Sequence, residues 1–222
     1  MKLNEVKILT IIISIFIIST VWLSYFRGII NSDSDNQFLA MGIIGVNNNI
    51  ENYYINNNTE IALGAANHWN ISVTNSMDDI QYLDIKVKIW SLNGPYNDTL
   101  PNSVELIPSN ATTVYDLPFF LARGDTTYHE FTWTLANSTK ITPNDKTIGI
   151  STNITINNSK YPIELNLPRI PSNIPGASNY AYSRIIFELW AYNGNTNTFN
   201  FKVETPSKEF CIWNQLFFKI KL

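Results

Sequence analysis

The chain has 222 residues, 45% hydrophobic and 15% charged, with a formal net charge of −3. That length suits one membrane segment plus one domain large enough to bury a core. A pI near 5.4, with no basic run beyond the N-terminus, argues against a nucleic-acid partner, which needs clustered Lys and Arg to displace counterions. A single cysteine, Cys211, excludes an internal disulfide framework and a cysteine-based zinc site. It reads as a small buried apolar residue, or else as half of an intermolecular bridge.

Residues 8–26, ILTIIISIFIISTVWLSYF, run 19 residues without a charge. At about 1.5 Å of rise per residue, a helix of that length nearly crosses a hydrocarbon core. Lys2 and Lys7 precede it, and Arg27, Asp33 and Asp35 follow, a bias that predicts a cytoplasmic N-terminus and an extracytoplasmic remainder. The run is longer than a secretory h-region and no small-x-small site follows it, which favours an uncleaved signal anchor over a cleaved signal peptide. Trp22 and Tyr25 fall where an interfacial aromatic belt would lie. The expected organisation is a cytoplasmic stub (1–7), a membrane-spanning helix in the bilayer (8–26), a juxtamembrane linker (27–37) and an extracytoplasmic domain (38–222).

Beyond residue 36 the hydrophobic period is two. HWNISVTN (68–75) alternates Trp69, Ile71 and Val73 with polar residues, and IQYLDIKVKI (80–89) sets Leu83, Ile85, Val87 and Ile89 against Tyr82, Asp84, Lys86 and Lys88. YHEFTWTL (128–135) buries Phe131, Trp133 and Leu135, and TIGISTNITI (147–156) buries Ile148, Ile150, Ile154 and Ile156. In RIIFELWAYN (184–193), Ile185, Phe187, Leu189 and Ala191 make one face; Arg184, Ile186, Glu188, Trp190 and Tyr192 make the other. TFNFKVE (198–204) reads as a strand burying Phe199, Phe201 and Val203, and CIWNQLFFKIKL as a last apolar strand.

Turn signals separate these runs: Asn triplets at 47–49 and 56–58, Asn93-Gly94-Pro95, Arg123-Gly124-Asp125, Thr142-Pro143-Asn144-Asp145 and Asn193-Gly194-Asn195. No sustained 3.6-residue period appears after residue 36, so the pattern predicts an all-β, antiparallel β-sandwich. Segments 93–111 and 157–182, the second holding Pro162, Pro168, Pro171 and Pro175, read as long crossovers or binding loops.

Glu188 is the carboxylate that invites a catalytic reading. Arg184 stands four residues away, about 13 Å along a strand, too far to pair. A cation on a neighbouring strand is the expected partner, with Lys86 or Lys88 of the equally alternating 80–89 strand as candidates, which makes Glu188 part of a polar register. No Gly-x-Ser-x-Gly, His-Glu-x-x-His or phosphate-binding glycine loop occurs, and Asp78-Asp79 lacks the spacing of a calcium loop. The histidines are His68 and His129. Cys211 is followed by neither His nor Met, so a blue-copper set is absent, and a two-His site with Glu130 stands against two solvent-facing imidazoles. No cofactor, no metal and no catalysis are expected.

Asn-x-Ser/Thr occurs at Asn57, Asn70, Asn97, Asn110, Asn137, Asn153 and Asn157. All lie beyond the apolar segment, as N-glycosylation requires. A chain with 30 Asn residues would show roughly five such tripeptides by chance, so position counts for more than number. Trp90, Trp190 and Tyr192 sit on outward registers and are candidates for stacking on a ligand or docking a partner. The competing reading covers them with loop 93–111 or 157–182, or with the lipid-proximal N-terminal segment.

IENYYINNNTEIALGAANHWNISVTNSMDDIQYLDIKVKI (50–89), with RIIFELWAYN, FNFKVE and IWNQLFF, resembles an archaeal family of membrane proteins carrying the domain of unknown function 1616. The markers are Asn52-Tyr53-Tyr54, the Trp69 strand with Asn75, Phe187-Glu188-Leu189-Trp190 and Trp213-Asn214-Gln215, and the likeness spans about residues 40–220. The resemblance implies an extracytoplasmic, Ig-like sandwich and supplies no activity and no catalytic residues. Some members have several membrane segments, where this chain shows one.

Together these readings predict a single-pass envelope protein whose ectodomain is a structural or protein-interaction module. Its partners would be envelope or membrane proteins. The alternative is a glycan- or ligand-binding module that uses the exposed aromatics and the long loops.

Overall fold

Alternating sequence becomes two antiparallel-rich sheets in the computed structural model, which describes residues 37–45, 50, 53–54, 59–93, 96–137, 140–143, 147–168 and 180–221. The apolar segment 8–26 with its flanks, and Asn57, lie outside the described residues. No helix among the described residues is long and apolar enough to cross a membrane. Contacts group Phe38–Leu222 into one unit.

The first sheet contains β1 (Leu39–Ile44), β3 (Asn67–Asn75), β8 (Thr126–Leu135), β10 (Thr147–Ile156) and β11 (Ser159–Pro168) in the order β1-β3-β8-β10-β11, with β9 (Lys140–Pro143) also on β10. The second contains β2 (Glu60–Ile61), β4 (Gln81–Ile89), β7 (Thr112–Leu121), β12 (Tyr180–Asn193) and β16 (Ile212–Lys221) in the order β2-β16-β12-β4-β7, with β13 (Thr198–Asn200) on β12. Two ribbons complete the set: β5 (Leu92–Asn93) with β6 (Tyr96–Asn97), and β14 (Val203–Glu204) with β15 (Glu209–Phe210). Every pairing is antiparallel except the short parallel contact of β2 with β16.

The two sheets contribute to one apolar cluster. Trp69, Phe131 and Trp133 of the first meet Phe187 and Phe218 of the second, with Phe131–Phe187 centroids 5.2 Å apart and Trp133–Phe218 5.3 Å apart. Each fully buried large side chain of this kind contributes about 1.5–3 kcal/mol of transfer free energy. Tyr54 lies edge-on to Trp69 at 5.6 Å, the Trp69 indole donates to the Tyr53 carbonyl, and the Tyr54 hydroxyl donates to the Phe217 carbonyl. Burial drives the Tyr54 pKa up.

Segment 157–182, expected to be a long loop, opens instead on a two-residue hairpin. Asn157 and Asn158 both take positive φ (46° and 70°), the conformation a tight β-hairpin requires and Asn tolerates. Strand β11 follows at once, fully paired with β10. Its Pro162 signalled a loop because proline cannot donate to a ladder; β11 is an edge strand, where no donor is needed on the open side. Pro118 is accommodated the same way in edge strand β7.

The expected single strand over 198–204 is also revised. It breaks after β13, so Phe199 turns to an outer aromatic cluster, Phe201 packs on Trp190 at 5.8 Å, and Val203 starts the β14–β15 ribbon.

Asn75 anchors the far end of β3. Its Nδ2 donates to the carbonyls of Asp79 and Leu121, both at 2.9 Å, and its Oδ1 accepts from the Met77 N–H. A fully buried carboxamide is satisfied on both ends, as burial of a polar group demands.

Candidate functional site

The outer face of the second sheet gathers the side chains singled out by chemistry. Along β12, Glu188 stands opposite Lys86 of β4 on one side and Trp213 of β16 on the other; Ile186 stands opposite Lys88 and Gln215. Lys88 reaches diagonally, and its Nζ lies 2.8 Å from Glu188 Oε2, with the two side chains 6% and 0% exposed. One of the two expected cations is therefore the partner, and the pair is sealed from solvent.

What seals it is the segment 98–111. Ser109 donates its backbone N–H to Glu188 Oε1 at 2.7 Å, and its carbonyl accepts from Lys88 Nζ. The Trp190 indole N–H completes the carboxylate, donating to Glu188 Oε2 at 3.0 Å. A β-bulge sits where β7 leaves the loop: Val87 pairs with Tyr115 but Lys88 pairs with Thr113, so Val114 is the extra residue.

The loop is itself ordered by local bonds. Asn102 and Ile107 exchange backbone hydrogen bonds, and Asn102 Oδ1 accepts from the N–H groups of Val104 and Glu105. Leu106 closes the turn at φ 56°, a left-handed conformation uncommon for a branched residue. Ser103 Oγ accepts from the Trp213 indole at 2.9 Å, and Ser109 Oγ donates to the Thr99 carbonyl at 2.6 Å. Val104 at the tip is 93% exposed.

Beside the pair, Lys86 Nζ contacts Asp84 at 3.1 Å and Asp116 at 3.0 Å, and lies 5.3 Å from the Trp190 ring centre. Burial would lower its pKa, but the hydrogen bonds with Asp116 and Asp84 outweigh that and raise it. Asp84 is buried, and its Oδ1 has no described partner. Cys211, half-buried and free, has its thiol pKa pushed up by burial; a hydrogen bond with Ser103 acts against this and the Glu188 charge adds to it.

Glu188 thus has both oxygens occupied and no exposed surface. Its chemistry here is to hold one residue of the covering loop, Ser109, between a carboxylate on its N–H and an ammonium on its carbonyl. It is a latch for segment 98–111, with Lys88 as its second half.

The candidate aromatics divide. Trp90 is half-buried: its indole donates to the Asp98 carbonyl at 2.7 Å, and Arg184 lies 5.1 Å over the ring, the guanidinium pKa lowered by burial. Trp190 is held by Glu188 and Phe201. Both indoles are half-buried: Asp98 of the first long segment bonds Trp90, whereas Trp190 is packed by Phe201, which lies outside both long segments. Tyr192 is 39% exposed and belongs to a cluster that the sequence reading did not assemble: Tyr82 stacks on Phe120 at 4.4 Å, and Tyr192 and Phe199 lie 5.7 and 4.9 Å from Tyr82. Phe120 is 72% exposed. The parity of Tyr82 within 80–89 carried a signal for this patch; Phe120 and Phe199, from other segments, became visible only on folding.

The histidines were expected to face solvent. His68 is exposed and bonds to Thr132 Oγ1, but His129 points toward the core, 4.4 Å from the Phe119 ring, its Nε2 without a described partner and its pKa lowered by burial. Parity explains the correction, because His129 shares a face with Phe131 and Trp133. In the β3–β8 register His68 is opposite Thr132 and His129 opposite Ile71, so the imidazoles lie on opposite faces and do not share a ligand set. Glu130 is exposed and lies on the outer face with His68.

Among the Asn-x-Ser/Thr positions, Asn70 and Asn153 lie half-buried within strands, while Asn110 and Asn137 are exposed. Asn157 is pinned: its Oδ1 accepts from the Thr132 N–H at 2.8 Å and its Nδ2 donates to the Glu130 carbonyl at 3.1 Å. Asn97 lies in β6, and Asn57 is outside the described residues.

The Trp213-Asn214-Gln215 marker consists of ties between elements. Trp213 bonds the covering loop, Asn214 Nδ2 donates to the Met41 carbonyl of β1 at 2.8 Å, and Gln215 Oε1 accepts from Arg184 at 3.0 Å.

No family model matches the chain, and no curated protein matches it. Among solved structures, the crystal structure of Spo0M, a sporulation control protein from Bacillus subtilis, aligns over 82% of this chain and 90% of its own length, at 9% identity and a TM-score of 0.27. A likeness that low carries no argument about fold or activity.

Proposed function

We propose that this chain is a membrane-anchored, extracytoplasmic module of Ig-like β-sandwich form, related to the archaeal family carrying the domain of unknown function 1616. In this reading it acts as a cell-envelope structural or protein-interaction element and performs no catalysis. Residues 8–26 anchor it in the bilayer with the N-terminus inside, and its partners are envelope or membrane proteins.

The observation that carries the reading is the patch formed by Tyr82, Phe120, Tyr192 and Phe199, with Phe120 72% exposed on a scaffold tied by buried hydrogen bonds. Exposed aromatics on a rigid support supply large contact area at low entropic cost, as protein-binding hot spots do. Cross-linking of the full chain in its native membranes, followed by mass spectrometry, tests it. Cross-links to one envelope protein should collapse with Phe120→Ser and persist with Thr196→Ala; equal patterns for both variants would sink the proposal.

A sugar-binding module is the second reading. It is favoured by the near-parallel Tyr82–Phe120 stack, interplanar angle 14°, which leaves Phe120 as a flat apolar platform. A glycan array probed with the full chain in detergent separates the two: Phe120-dependent glycan retention without protein cross-links selects this alternative.

A further inference from the structure

We propose that Asn110 is an N-glycan acceptor, and that Asn70, Asn153 and Asn157, which carry the same tripeptide, are not. The inference rests on the extracytoplasmic placement proposed above and goes beyond it, because the tripeptide alone does not rank the sites.

Transfer joins Asn Nδ2 to the anomeric carbon of a lipid-phosphate-linked oligosaccharide. The bond from that carbon to the phosphate oxygen breaks, the lipid phosphate leaves with the electron pair, and Nδ2 gives up one proton. The acceptor therefore needs its Nδ2 free of structural duty, solvent around it, and an accessible hydroxyl two residues on.

Asn110 meets these needs on folded chain. Its side chain and that of Thr112 are exposed. Its Oδ1 accepts from Thr99 N–H at 2.6 Å and from Thr99 Oγ1 at 3.2 Å, which orients the carboxamide through its oxygen, and no described residue takes its Nδ2. The tripeptide straddles the end of loop 98–111 and the start of edge strand β7, so Asn110 and Ala111 lie outside the ladder.

The others fail on different counts. Asn157 spends its carboxamide on β8. Asn70 and Asn153 are half-buried within strands, Asn70 paired with both Ile44 and Glu130, Asn153 paired with Pro162 and accepting from the Ala136 N–H. Presenting Asn70 or Asn153 to a transferase would require unpairing the sheet.

Peptide mapping by mass spectrometry on the full chain purified from its native membranes tests this. The Asn110 peptide should carry a glycan, and the Asn70, Asn153 and Asn157 peptides should carry their unmodified masses. Thr112→Ala should remove the glycan entirely; Thr112→Ser, which restores the hydroxyl, should keep it. External protease on intact cells supplies the second readout. If the domain is cleaved from outside and Asn110 is bare, or a glycan sits on Asn70, Asn153 or Asn157, the glycan assignment is overturned alone. If the domain is protected, the extracytoplasmic placement falls and the glycan assignment with it.

Discussion

The two faces of the β4–β12 pair use the same backbone for opposite purposes. Inward, Leu83, Ile85, Val87 and Ile89 meet Ile185, Phe187 and Leu189, all essentially unexposed, and no polar group intervenes. Outward, Lys88 and Glu188 are nearly as deeply buried, yet they are charged and covered by a loop. The inner face is held by area, which is tolerant of exchange between apolar residues. The outer face is held by direction: a carboxylate and an ammonium that must each find a particular atom of Ser109. Burial therefore does not distinguish the faces, whereas the reason for burial does.

The difference can be broken experimentally. Lys88→Met should destabilise the domain by about 3–5 kcal/mol in chemical denaturation, because Glu188 would be left charged and buried. Phe187→Ala, at the adjacent position on the inner face, should cost a similar ~3–5 kcal/mol through its cavity. The faces then part company. Adding Glu188→Leu to Lys88→Met should recover part of the loss, with the Ser109 N–H, the Ser109 carbonyl and the Trp190 indole left without these partners at about 1–3 kcal/mol for each that stays buried, and should expose segment 98–111 to limited proteolysis. A double variant no more stable than Lys88→Met alone would contradict the latch.

A smaller effect tests the inner face by pH. Burial holds the His129 pKa below its ordinary value of 6.5, so the unfolded chain binds the proton more readily. The neutral imidazole's contribution is complete above that value and is lost as pH falls through the lower folded pKa. His129→Phe should flatten this decline in denaturation midpoints measured from neutral to acidic pH. The smallest effect belongs to the patch: Phe120→Ala should change stability by less than about 1 kcal/mol, since an exposed ring gives up little burial. A large loss there would make the patch part of the structure instead of a free surface.

Much of the architecture was legible in the order of residues, and the exceptions have physical causes. Strict alternation assigned the inward set of β3, β4, β8 and β12, and register spacing ruled out Arg184 as the partner of Glu188, leaving the lysines of the equally alternating 80–89 strand as candidates, of which Lys88 is the partner. Strand β11 was hidden because proline reads as a breaker unless the strand is known to be an edge. The break after β13 was hidden because FNFKV alternates perfectly; nothing local says that the chain turns to cover Trp190. His129 was misread as exposed because its polarity outweighed its parity with Phe131.

The site itself shows where sequence reasoning stops. The sequence by itself determined which residues share a face, because side chains alternate along an extended backbone whatever lies around them. It also determined where turns could form, since Asn and Gly tolerate conformations other residues resist. Only the tertiary structure decided that the polar face of β4 and β12 is roofed by a loop, that Glu188 is a latch under it, and that Tyr82, Phe120, Tyr192 and Phe199 meet. Those outcomes depend on contacts between segments far apart in the chain, and alternation along a single strand carries no information about what crosses above it.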